Sequence, residues 1–133
     1  MANKENSRII SKRILIVYVL FFYLAGLFLS SWYRPYIYSN AINDYGLADI
    51  GNNIPFIPAV YFSMLLIRQK FFYGAIKDIY YYAGFLIVIE ILSGLIDGIG
   101  TFDFKDIIGL LIGAGITYTI IKNSKSILKN NTA

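Results

Sequence analysis

The chain has 133 residues, of which 57% are hydrophobic and 15% charged, with 12 Lys and Arg against 8 Asp and Glu and a formal net charge of +4. A mean hydropathy of +0.59, with the charges gathered at intervals along the chain, is the profile of a membrane protein and excludes an ordinary soluble domain. There is no cysteine and no histidine, which excludes disulfides, thiolate chemistry, imidazole bases and the usual zinc or haem ligand sets.

Met1–Arg13 is a polar, basic lead-in. Ile14–Tyr33 then runs without a charge. At about 1.5 Å per residue it covers a hydrocarbon core of about 30 Å. It ends in Ser30, Ser31, Trp32 and Tyr33 without a small-x-small cleavage pattern, so it reads as a retained first helix and not a signal peptide. Trp32, Tyr33, Tyr36 and Tyr38 form an interfacial aromatic belt. Arg34-Pro35 is expected to stop the helix, because proline disfavours helical geometry in the residue before it.

The segment up to Asn53 is rich in turn formers, including Asn40, Asn43, Asp44, Gly46, Asp49 and Asn52, and reads as a solvated loop or a polar recognition surface. Ile50–Ile67 is a second uncharged run, with Pro55 compatible with a first helical turn and Pro58 expected to leave an irregular turn or kink. Arg68, Gln69 and Lys70 close it, and the short aromatic connection through Phe71–Asp78 makes spans two and three a hairpin. Ile79–Ile96 is the third run, interrupted by Glu90 alone. A charge near the centre of a membrane helix costs roughly 2.5–3.5 kcal/mol, so Glu90 is the first candidate site. The fourth span is placed at 104–121.

Along the third run Ala83, Glu90 and Asp97 recur every seven residues, with Ser93 and Gly94 one turn beyond Glu90, which makes one small, polar face. The fourth span offers Gly109, Gly113 and Thr117 at four-residue spacing, the small-xxx-small pattern of close helix approach. These two faces are expected to pack together, with Glu90 at the depth of Gly113. There Glu90 is either a protonated acid bonded to Thr117, Tyr118 or a backbone carbonyl, a proton or cation site, or half of an ion pair with a partner protein.

Ten of the cations lie in the lead-in, between spans two and three, or after span four, and only Arg34 and Lys105 lie on the other side. The positive-inside rule then puts both termini in the cytoplasm. The basic balance is one of topology and gives no reason to invoke nucleic acid. Outside lie Asp44, Asp49, Asp97, Asp103 and Asp106 against Arg34 and Lys105, an acidic mouth. No metal-binding loop pattern accompanies these acids. The expected fold is therefore all-α: an integral membrane four-helix bundle with antiparallel helices and short loops, a single domain spanning 14–33, 50–67, 79–96 and 104–121.

The segment Glu90–Ala114 resembles the end of the VanZ-like family of small bacterial membrane proteins. Glu90, Phe102, Asp103, Asp106 and Gly113 fall on that family's Glu, its outer-loop Phe-Asp-x-x-Asp pattern and the Gly entering its last helix. Gly100 stands where the family has an Arg, and Leu110 where it has an Asn. The resemblance implies a multi-span protein of the bacterial cell envelope, in a family whose named member is linked to resistance against a glycopeptide-class antibiotic.

The leading expectation is a non-enzymatic, VanZ-like protein of the bacterial inner membrane, without a cofactor. It would act through its acidic outer face (Asp44, Asp49, Asp103, Asp106, Arg34) or through a helix partner, either another membrane protein or a second copy. Glu90 and Asp97 form the candidate intramembrane acidic site; a small transporter or channel subunit with Glu90 as proton or cation site is a second class, and an immunity or inhibitor protein that binds a toxin or membrane complex is a third. No nucleophile constellation or phosphate-cradling loop points to catalysis.

Overall fold

The computed structural model describes residues 12–96, 100 and 102–124, whose regular structure is all helix with no strand among them. Helix α1, Lys12–Phe28, passes through a π turn at Leu29–Tyr33 into α2, Arg34–Ser39, as one continuous rod. Arg34-Pro35 therefore does not stop the helix. Proline has no N–H to donate and its ring crowds the carbonyl four residues back. The π turn removes the conflict by widening the ladder just before it, with Arg34 N–H donating to Leu29 O, five residues away.

The next rod is interrupted. A short helix α3, Leu47–Gly51, leads through a turn at Asn52–Pro55 into α4, Phe56–Arg68. Pro58 sits in the first turn of α4, where its missing N–H would have had no partner within α4. It would have served the carbonyl of Ile54, however, and that oxygen is left without its helical donor. Helices α5, Ala75–Ser93, and α6, Phe104–Asn123, complete the chain.

Three helical rods are long and apolar enough to cross a membrane: Lys12–Ser39, Leu47–Arg68 and Phe104–Asn123. Helix α5 is long enough, but it carries Lys77, Asp78 and Glu90 within 19 residues. In lipid every backbone polar group must be satisfied within its own segment, which is why β-branched and aromatic runs such as Ile14–Phe28 adopt helix regardless of their modest propensity.

Helix α4 is the hub. It packs against α1, α5 and α6, and α5 and α6 also pack on each other. The two largest fully buried side chains, Tyr61 and Phe62, belong to this hub and are at most 1% exposed. Phe62 stacks on Tyr18 of α1 at 4.7 Å between ring centroids, and the Tyr61 hydroxyl donates to Ala75 O at 2.8 Å, tying α4 to the start of α5. Many other large apolar side chains, among them Val17, Phe21, Leu24 and Phe85, face outward. Outward apolar faces on membrane-length rods are the expected surface toward lipid.

Two connections are built by carboxylates. Asp44 accepts from Gly46 N–H at 3.1 Å, Ala48 N–H at 2.6 Å and Tyr33 O–H at 3.2 Å, fixing the entry into α3. Asp78, 4% exposed, accepts from Phe72 N–H at 2.7 Å and Tyr73 N–H at 2.9 Å and so folds the α4–α5 connection back onto α5.

Candidate functional site

The described charges separate along the rods. Lys12, Arg13, Arg68, Lys70, Lys77 and Lys122 mark one end, with Asp78; Arg34, Asp44, Asp49, Glu90, Asp103, Lys105 and Asp106 mark the other. Asp97 and Lys125 lie outside the described residues, and so does any face that Asp97 shares with Glu90.

At the rim of the acidic end, Asp49 of α3 gathers three partners from distant parts of the chain. Lys105 Nζ lies 2.7 Å away and Arg34 3.8 Å away, and the Tyr38 hydroxyl donates to the same carboxylate. The cationic side chains are 44% and 48% exposed, so solvent screens these pairs and they contribute little to stability. Asp103 caps α6, accepting from Lys105 N–H at 2.9 Å. The rim acids are thus held by partners within the chain, and they orient α2, α3 and α6 against one another.

Below the rim lies a different arrangement. Glu90, half-buried on α5, stands beside Asp106 in the first turn of α6, with Asp103 nearby. Asp106 Oδ1 in turn accepts from Asn53 Nδ2 at 2.6 Å. Asn53 belongs to the turn that interrupts the α3–α4 rod, and it also lines a gap of about 430 Å³ between α1 and α4. Three elements therefore converge on one pair of carboxyls. Neighbouring carboxyls disfavour a charge on both at once. No Lys or Arg forms an ion pair with Glu90 or Asp106 among the described residues, and no group of three or more acids there could hold a metal.

These contacts correct two expectations. Glu90 is not at the level of Gly113, and it does not bond to Thr117, whose hydroxyl donates to Gly113 O at 2.9 Å. Helix α5 ends at Ser93, so Glu90 stands in its last turn, and Asp106 stands in the first turn of α6. Asp106 precedes Gly113 by seven residues, about 10 Å along the axis. A carboxylate in the last turn meets the negative end of the helix dipole, which adds to its need for a proton or cation.

The glycine face of α6 also has a different partner. Gly109 and Gly113 approach the interrupted rod, not α5. A Cβ on Gly109 would sit 2.5 Å from Ile50 O, and one on Gly113 would run into Ile54 O and stand 3.3 Å from Pro58 Cδ. The oxygen that Pro58 deprives of its donor is the one Gly113 lets α6 approach. Gly94 closes the α5 end against Phe102, with no room for a Cβ between them.

Asn53 and Asp78 did not emerge from the sequence as site residues. Asn53 stood within a row of turn formers, and its partner lies 53 residues away. Asp78 stood at the edge of an apolar run, and nothing local distinguished a buried cap from a solvated acid. Comparison with protein-family models, with curated proteins and with solved structures returns no match to this chain.

Proposed function

We propose that the chain is a small, non-enzymatic integral membrane protein of a bacterial cytoplasmic membrane, VanZ-like in character, which acts through the carboxyl pair at its acidic end. In this reading α5 is a fourth membrane-crossing helix, the four rods alternate in direction, both termini are cytoplasmic and the acidic end faces outward. The positive-inside distribution of Arg68, Lys70, Lys77 and Lys122 favours that orientation.

The observation that carries the proposal is the convergence of Glu90, Asp106 and Asn53 from three elements. Glu90 and Asp106 are also two of the five positions on which the family resemblance rests. The rim acids are already engaged by Lys105, Arg34 and backbone N–H groups, which leaves the inner pair as the polar group with free capacity. Expression of the chain in a susceptible bacterium should change tolerance to a glycopeptide-class antibiotic, and Glu90→Gln and Asp106→Asn should each abolish the change while still inserting in the membrane. Retention of the phenotype by both variants would remove the carboxyl pair from the account.

A second reading is favoured by one observation, the interrupted α3–α4 rod beside the paired carboxyls. Broken helices next to intramembrane acids are the usual construction of proton and cation sites. Under this reading purified protein in vesicles conducts protons or cations, and Glu90→Gln abolishes the flux. Absence of flux from the wild-type protein at any density would set it aside.

A further inference from the structure

At the basic end, α4 and α5 enclose a groove of about 470 Å³ walled by Val60, Met64, Phe72, Tyr81, Tyr82 and Phe85. Tyr81 and Phe85 are 58% and 65% exposed, so the groove opens sideways, toward the surroundings of the rods. On α5 its lining runs from Asp78 to Leu86, about 12 Å at the rise of a helix and close to the depth of one leaflet of a hydrocarbon core about 30 Å thick, while on α4 it is lined by Val60 and Met64.

The mouth of the groove is cationic. Arg68 places its guanidinium carbon 3.4 Å from the centroid of the Phe72 ring, which holds the charge against the wall. Lys77 stands one turn before Tyr81 and two before Phe85, so one stripe of α5 leads from a cation into the groove. Lys70 is exposed between them. None of the three forms an ion pair among the described residues. The acid beside them, Asp78, also lines the groove, but both its oxygens already accept backbone N–H groups from Phe72 and Tyr73.

We infer that this groove holds one acyl chain of an anionic phospholipid, with the lipid phosphate against Arg68, Lys70 and Lys77. The apolar walls match the chain, the depth matches a leaflet, and the unpaired cations match the headgroup. The inference rests on α4 crossing a membrane with α5 beside it, and it is independent of which side faces the cytoplasm and of the carboxyl pair.

The test uses full-length protein in detergent, offered phosphatidylglycerol or phosphatidylcholine of the same acyl composition, with retained lipid counted by native mass spectrometry. Wild type should retain the anionic lipid in preference, and Arg68→Gln with Lys77→Gln should weaken that preference by about fivefold for each charge removed. Lys122→Gln, a cation at the same end on α6, should leave it unchanged. A phosphatidylglycerol carrying a photoreactive acyl chain should crosslink wild-type protein within Val60–Met64 or Tyr81–Leu86, a readout that needs no variant. Equal retention of the two lipids, an equal loss in Lys122→Gln, or crosslinks confined to α1 or α6 would overturn the inference.

Discussion

Glu90 changes character between sequence and structure. As a lone acid in the apolar run Ile79–Ile96 it carries the full cost of a mid-membrane charge; as a residue three positions from the end of α5 it sits near the rim and finds Asp106. The sequence could place Glu90 on a helix face but not at a depth, because depth depends on where the helix ends. Asp78 is the opposite case, an acid with no free capacity. Asp78→Ala strands two backbone N–H groups at a site 4% exposed, and should lower stability by about 2–3 kcal/mol. Lys105→Gln removes an ion pair of similar length, yet one open to solvent, and should cost clearly less than Asp78→Ala. Unfolding midpoints in a detergent titration compare the two; a larger loss in Lys105→Gln would mean that the rim, and not the buried cap, organises the chain.

Among elements, the interrupted α3–α4 rod and the glycine face of α6 explain each other. Gly113→Ala pushes a methyl group against Ile54 O and should destabilise by about 1–3 kcal/mol. Gly115→Ala, where a Cβ meets nothing within 4 Å, should be neutral or stabilising by up to about 1 kcal/mol. Equal effects of the two substitutions on the unfolding midpoint would deny the close approach. The small-residue spacing was legible in the sequence, and so was the irregularity around Pro55 and Pro58. Their mutual contact was not, since small-xxx-small says that a helix can approach another without saying which. The π turn before Pro35 was likewise hidden: the proline announces a lost hydrogen bond, and only the fold decides whether the helix stops or widens.

For the whole molecule, the all-helical fold and the membrane-length rods followed from composition, because uncharged runs of 15–20 residues admit few other structures. The site did not follow in the same way, since Glu90, Asp106 and Asn53 are brought together by contacts spanning up to 53 residues. The separation of charge along the rods unites the two levels: a basic end suited to anionic lipid and an acidic end whose inner carboxyls pair with no Lys or Arg among the described residues. Everything proposed for the acidic end requires it to face away from the cytoplasm. The chain contains no cysteine, so single cysteines introduced at Asn43, Lys70 and Ala133 report without background. In intact cells a membrane-impermeant thiol reagent should label Asn43→Cys alone, with Lys70→Cys and Ala133→Cys labelled only after the membrane is opened. Labelling of Lys70→Cys or Ala133→Cys in intact cells, with Asn43→Cys protected, would put the acidic end in the cytoplasm and contradict the account.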